Sequence, residues 1–245
     1  RLKLGAGAAK DQGLWHASTK TGRKKLLVSL AEIFEALPNK DIYKGLAFHL
    51  FHSKYNPQGT RIMQVVRARD PESEEGRYQH GILTTFKADG SDIRVAVPPE
   101  LWKRGGHHPN WMPSGERLLM NLTPKDKLRF CTFGWDGSGF QVVSESILGS
   151  GHPAYEKTGR FIFTDTYPRE PMSLPDGSSA LRLIDTRRGQ ERTVLHIFAL
   201  GQVNPSVLRL DPHPAWSRDG KRSCFNGAPE GRRQVYIADL STLLA

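Results

Sequence analysis

Four copies of one hairpin motif, a second hairpin behind each copy, and almost no helical periodicity predict an all-β chain. The architecture this implies is a β-propeller of four-stranded antiparallel blades. The copies are YNPQGTRIMQVV from Tyr55, NWMPSGERLLMNL from Asn110, AYEKTGRFIFTDT from Ala154 and AWSRDGKRSCFNG from Ala215. Each passes an aromatic or polar residue, then Pro or Lys, and reaches a tight turn closed by Gly before a short apolar strand. The turn glycines Gly59, Gly115, Gly159 and Gly220 stand 56, 44 and 61 residues apart. The turn needs a positive φ there, which Gly adopts without a Cβ clash.

Taken in chain order, LWHASTKTGRKKLLVSL from Leu14 reads as the outer hairpin of a blade. One helix is expected from Ser29 to Leu37, because Ser29 and Glu32 form a capping-box pair and Pro38 stops the run. The second hairpins are FKADGSDIRV from Phe86, FGWDGSGFQVV from Phe133 and LRLIDTRRGQERTVL from Leu181. At about 45 residues per blade, 245 residues hold about five blades. The first hairpin lacks inner strands of its own, so the expectation is a single propeller domain over residues 1–245, truncated at the N-terminus and part of a larger ring. A compact five-blade ring is the second possibility. A β-sandwich offers no reason for the repeated turn.

The charge narrows the partners. With 35 Lys+Arg against 25 Asp+Glu, the formal charge is +10 and the isoelectric point about 9.7. That balance favours polyanions, either nucleic acid or acidic polysaccharide, or serves solubility alone. The basic residues are not interleaved with aromatics, so nothing prompts a nucleic-acid partner. No apolar run approaches the roughly 18–20 residues of a membrane span, so no membrane partner is expected either. Cys131 and Cys224 make neither a CxxC pair nor a disulfide framework. The compartment stays open between cytoplasm and periplasm or exterior, and so does the oligomeric state. GAGAAKDQG near the start lacks the spacing of a nucleotide loop, and no Ser or Cys has a base partner in sequence.

The histidines carry the sharpest signal. His52, His108, His152 and His213 each lie seven residues before a turn Gly. In a propeller that offset starts the innermost strand, so the imidazoles would gather at one end of the channel. Alternatively each His caps its own blade by bonding a backbone carbonyl. Asp211 and His213 are two apart, on one side of an extended strand. With His152 from the preceding blade they make two imidazoles and a carboxylate, a set suited to a divalent transition ion. The other reading has Asp211 orienting His213 with no metal. Arg232 and Arg233, in EGRRQVY, either bind a carboxylate or lie on a solvated strand.

GHPAYEKTGRFIFTDTYP from Gly151 and DPHPAWSRDGKRSCFNGAPEGRRQVYIADL from Asp211 resemble the C-terminal blades of oligogalacturonate lyases, which are similar in turn to the propeller ulvan lyases. FHSKYNPQGTRIM from Phe51 and HHPNW from His107 resemble two earlier blades of the same proteins. The resemblance runs from about Leu14 to Leu240. The bare aromatic–turn–Gly pattern also fits TolB-like propellers.

The resemblance implies a seven-bladed fold and a carbon–oxygen lyase of pectin-degrading type. Such an enzyme cleaves oligogalacturonate or a similar uronate chain by β-elimination. It also implies a divalent metal cofactor, manganese ahead of zinc or calcium, and an acidic oligosaccharide substrate. Carried over by motif, the base falls on His108 and the metal ligands on His152 and His213, with Asp211 in a third ligand's place. His52 matches a site histidine of the relatives. A helper arginine is expected in the hairpin before Asp89-Gly90 but falls at Ile82; Arg77 and His80, close by, are its candidate substitutes. Tyr167, His107, Arg232 and Arg233 complete the set as substrate-binding candidates. Two further polar positions of the relatives fall at Val66 and Pro229. Loss of one transition-state partner costs about 10²–10³ in rate, so the alternative is a non-catalytic TolB-like propeller that binds acidic glycans or a protein partner.

The chemistry requires such groups. The C5 proton of a uronate is poorly acidic while the neighbouring carboxylate is charged, so a metal ion or an arginine must neutralise it. A base that titrates near neutrality, such as imidazole, then takes the proton.

Overall fold

A computed structural model describes residues 5–72, 79–167, 172, 174–199 and 210–244. The chain divides into two compact units, Arg1–Gly105 with Phe133–Phe140, and Gly106–Thr132 with Gln141–Ala245. The fold is all-β, and its sheets are propeller blades: small, antiparallel, and threaded in chain order from first strand to last.

In the first unit β1 (Gly13–Ala17) and β2 (Lys24–Ser29) pair as the expected hairpin. Helix α1 (Leu30–Ala36) follows with its capping box intact. The Glu32 amide donates to Ser29 Oγ at 3.1 Å and the Ser29 amide to Glu32 Oε2 at 2.8 Å. Strands β3 (Ala47–Tyr55), β4 (Arg61–Arg69), β5 (His80–Lys87) and β6 (Arg94–Val97) then form a four-stranded sheet. The short helix α2 (Pro99–Trp102) closes the unit. In β4 the first six residues are all buried, as a strand covered on both faces requires. Ile62, Val66, Ile82 and Phe86 from β4 and β5 share one core with Leu30 and Ile33 of α1.

The second unit holds the other blades. One runs β7 (Gly106–Trp111), β8 (Arg117–Leu122), β9 (Arg129–Gly134) and β10 (Gln141–Val142). The next runs β11 (Ala154–Tyr155), β12 (Phe161–Thr164), β13 (Ser178–Asp185) and β14 (Gln190–Phe198). The last is β15 (Ala215–Trp216), β16 (Arg222–Gly227) and β17 (Gln234–Asp239). It has three strands among the described residues, where four were expected. Burial falls from inner to outer strands: every residue of β13 is buried, whereas most of β14 is exposed. Two apolar clusters join these blades, one around Leu119, Phe130 and Ile162, the other around Phe163, Leu183 and Phe225.

The repeat is a repeat of register. All four turn glycines have positive φ, between 70° and 73°. Around them Lys54 pairs with Met63, Asn110 with Leu119, Ala154 with Phe163 and Ala215 with Cys224, at one offset from the glycine in every blade.

Candidate active site: a histidine cluster in the second unit

The backbone under the repeat histidines is unusual. His52, His108 and His213 have φ of 55°, 56° and 48°, the left-handed region that costs a residue with a Cβ about 1–2 kcal/mol. At the third repeat Gly151, with φ 64°, takes the left-handed position just ahead of His152. The β3–β4 ladder slips between Phe51 and Ser53, and the β7–β8 ladder between His107 and Asn110. His52 and His108 therefore sit in β-bulges, which lift a side chain out of the ladder and re-aim it. Strain of this kind persists only where the surroundings hold it, and it gathers at functional sites.

In the second unit a polar side chain six residues after each turn Gly supplies that hold. Asn121 donates Nδ2 to the Gly151 carbonyl at 2.9 Å and lies 3.3 Å from His107 Nδ1. Asn226 donates Nδ2 to the Asp211 carbonyl at 3.3 Å. Asp165 does most. Its Oδ1 accepts from the His152 amide at 2.7 Å and its Oδ2 from the His213 amide at 2.9 Å. Both oxygens lie 3.0 Å from His152 Nδ1. One fully buried carboxylate thus ties the bends of two successive blades together. Burial alone would raise its pKa, but the His152 imidazole and the two amides outweigh that and hold it below the usual carboxylate range. Gly151 is obligatory beside it, since a Cβ there would lie 2.1 Å from the Asp165 carbonyl oxygen.

The rings converge above this tie. His152 and His213 stack with centroids 3.9 Å apart and planes 21° from parallel. The His108 ring lies 4.0 Å from His152 and 6.3 Å from His213. Tyr167, whose backbone N–H donates to Ser150 Oγ at 3.0 Å, sets its hydroxyl 3.2 Å from His152 Nε2 and in hydrogen-bond contact with His108 Nε2. His107 packs edge-on at 4.9 Å from His108 and 5.0 Å from Tyr167. The series Asp165–His152–Tyr167–His108 can be written with every bond made when both imidazoles are neutral. The Asp165 carboxylate accepts from His152 Nδ1–H, which leaves Nε2 of the neutral ring as acceptor for the Tyr167 hydroxyl. The Tyr167 oxygen then accepts from His108 Nε2, so neutral His108 carries its lone pair on Nδ1.

His107, His108, His152, His213 and Tyr167 are thus brought together. Asp165, Asn121 and Ser150 belong with them and escaped the sequence reading. Asp211 is fixed through its backbone carbonyl, and the carboxylate against the rings is that of Asp165. Arg232 and Arg233 are exposed in the turn between β16 and β17, not on a strand. His52 and His80 lie in the first unit. There His52 stacks on Phe51 at 3.9 Å. His80 meets the edge of Tyr43 at 5.4 Å, and burial together with Lys103 pushes its pKa down. Arg77 lies outside the described residues. Val66 and Ile82 face each other in register and are fully buried, and Pro229 is exposed.

The described side chains do not assemble the metal-ligand set that the resemblance implies. Among the described residues no three His, Cys, Asp or Glu side chains are placed to share one. His152 turns Nδ1 to Asp165, and its Nε2 faces the Tyr167 hydroxyl at 3.2 Å, so a phenol and not an ion occupies the open side of this imidazole.

No protein-family model matches the sequence, and no curated protein matches it. Solved structures do. An oligogalacturonate lyase in complex with manganese is similar with a TM-score of 0.62 at 14% identity, over 92% of this chain and 53% of that one. TolB from Acinetobacter baumannii follows at 0.59 and 10% identity, over 96% and 48%. The oligogalacturonate lyase of Vibrio parahaemolyticus gives 0.53 and 12%, over 97% and 72%. The chain spans about half the length of the first two. At such identities the likeness establishes the propeller fold, shared by the lyases and TolB alike.

Proposed function

We propose that the histidine cluster of the second unit is an acid–base site for β-elimination in a uronic acid-containing oligosaccharide, with His108 as the base. The hydrogen-bonded series Asp165–His152–Tyr167–His108, held on strained backbone, is the observation that carries this reading. The Nδ1 lone pair of His108 takes the C5 proton of the uronate, the C4–O4 bond breaks, and a C4–C5 double bond forms. The Tyr167 hydroxyl protonates the departing O4, and His108 resupplies it through Nε2–H, so the proton count closes. Asp165 fixes the His152 tautomer and ring, and His152 positions the Tyr167 hydroxyl. The net charge of +10 favours capture of a polyanionic chain.

The test is absorbance in the unsaturated-uronate band during incubation with oligogalacturonate, alginate or ulvan, with and without added divalent ions. A rise with one substrate that His108→Ala lowers by about 10²–10⁴-fold supports the assignment. Retained turnover in His108→Ala removes His108 from the base role. A rise that needs a divalent ion would return His152, Asp211 and His213 to the ligand role.

A second reading, a non-catalytic TolB-like propeller binding acidic glycans or a protein, is favoured by the Val66–Ile82 pair. Two positions where the lyase resemblance expects polar groups are apolar core instead. No absorbance change with any substrate, on folded protein, decides for it.

A further inference from the structure

The proposed elimination leaves one charge without a partner. When the C5 proton goes to His108, the electron pair of the C–H bond moves into the uronate carboxylate, and a donor or a cation must meet that added negative charge. His152 cannot supply it, because its Nδ1 faces Asp165 and its Nε2 faces the Tyr167 hydroxyl. Besides His152, the imidazole packed against both the base and the acid is His107, edge-on at 4.9 Å from His108 and 5.0 Å from Tyr167.

The neighbours of His107 set its tautomer. It pairs in register with Asn121, at the last step of the β7–β8 ladder before the bulge that turns His108 up. Asn121 is fully buried, and its Nδ2 meets both the Gly151 carbonyl at 2.9 Å and His107 Nδ1 at 3.3 Å. A carbonyl can only accept, so the end of the amide that faces Gly151 and His107 is the NH2. Both hydrogens of that NH2 are then committed, one to Gly151 and the other to a lone pair on His107 Nδ1. The neutral His107 ring accordingly carries its proton on Nε2. The other end of the amide shows that this orientation has a cost. Asn121 Oδ1 is buried without a hydrogen-bond partner, and it faces Gly149, where a Cβ would stand 2.7 Å away. A buried acceptor left unpaired is destabilising, and the fold tolerates it with the NH2 turned to Gly151 and His107.

We infer that His107, fixed by Asn121 with its proton on Nε2, is the donor that bonds the uronate carboxylate and holds the charge that develops on it. The inference rests on reading the cluster as a uronate site. His107 is then a catalytic residue, and Asn121 is its positioning residue. A neutral imidazole can polarise a developing enolate, and its N–H bonds the carboxylate more strongly as charge builds there. Two adjacent residues thus take opposite tasks. His108 offers a lone pair on Nδ1 and removes the C5 proton; His107 offers a proton on Nε2 to the carboxylate carried by the same carbon.

The experiment is a 15N–1H spectrum of the histidine rings of the 245-residue chain above neutral pH, with His107 assigned by its loss in His107→Gln. The proton should lie on Nε2, and a proton on Nδ1 would overturn the inference. Oligomers of galacturonate, alginate or ulvan should shift the Nε2–H resonance, whereas a neutral galacto-oligosaccharide should not. No shift with any of the acidic oligomers, or an equal shift with the neutral one, counts against the donor role. Asn121→Asp, which can only accept, should move the proton to Nδ1; the wild-type spectrum decides even where that variant does not fold. In turnover, His107→Leu should lose about 10²–10³-fold, with the larger part of the loss in kcat rather than KM. His107→Gln, whose amide NH2 stands near the place of Nε2–H, should recover at least about tenfold of that. Equal losses in the two variants would remove the hydrogen bond from the account. Turnover that survives His107→Leu discards His107 and leaves His108 as the base. A spectrum that answers to the acidic oligomers in a protein without turnover ends the elimination reading and keeps His107 as the carboxylate donor.

Discussion

His52 in the first unit and His108 in the second occupy the same seat in the repeat, with φ of 55° and 56° in a bulge of the same kind. Their surroundings differ. Beside His52 the bulge is held by Gln64, whose Nε2 donates to the Phe51 carbonyl at 3.1 Å and whose Oε1 accepts from Ser53 Oγ at 2.6 Å. The next two positions, Val65 and Val66, are buried and apolar. In the second unit the position of Val65 holds Asn121, Asp165 and Asn226 in turn, and each bonds a bend or the residues leading into it. The repeat decides where the backbone turns a histidine up. The residue six places after the glycine decides whether anything chemical is built on it.

Asp165 is where that contrast breaks with the largest effect. Asp165→Ala should lower stability by about 3–5 kcal/mol, since two amides and an imidazole N–H lose their acceptor inside the protein. Val65→Ala, at the matching seat, removes only two methyl groups and should cost about 1–2 kcal/mol. Urea unfolding of the two variants measures the gap, and equal losses would refute a special role for the carboxylate. Next in size is Gly151→Ala, whose new Cβ meets the Asp165 carbonyl oxygen at 2.1 Å on a left-handed backbone. It should cost about 2–3 kcal/mol. Gly59→Ala meets nothing within 4 Å and should cost only the left-handed penalty, about 1 kcal/mol.

The carboxylate also predicts a pH dependence. The Asp165 pKa lies below its ordinary value in the folded protein, so the unfolded chain binds more protons at acid pH. Its stabilising contribution is complete above the unfolded carboxylate value of about 4 and fades as pH falls through the lowered folded value. Asp165→Asn should therefore flatten the acid limb of stability against pH. An acid limb as steep as the wild type's would assign acid unfolding to the other carboxylates.

Much of this was legible beforehand, and the misses have physical causes. The turn glycines, the Ser29–Glu32 cap and the histidine offset are local rules, and local rules survive folding. Asp165 lay inside the quoted segment FTDTY, six residues past Gly159, and extending the repeat that far exposes the Asn121–Asp165–Asn226 series. Asp211 drew attention instead, on the argument that residues two apart share one side of a strand. Asp211 and His213 precede β15, and His213 is left-handed, so alternation does not govern them. The stacking of His152 on His213 joins two blades, and no spacing within one segment encodes it.

The smallest effect separates strain from chemistry. Glycine accepts a left-handed φ that histidine resists, so His52→Gly, His108→Gly and His213→Gly should each relieve backbone strain worth about 1 kcal/mol. At His52 that relief is opposed by the lost ring stack on Phe51. At His213 it is opposed by the stack on His152, and at His108 by the bond to Tyr167 as well. Thermal midpoints should accordingly rise for His52→Gly and change less, or fall, for the other two. Turnover should fall by orders of magnitude at His108 and hold at His52. If His52→Gly and His108→Gly moved stability and turnover together, the two bulges would be equivalent and the chemistry would not belong to the second unit alone.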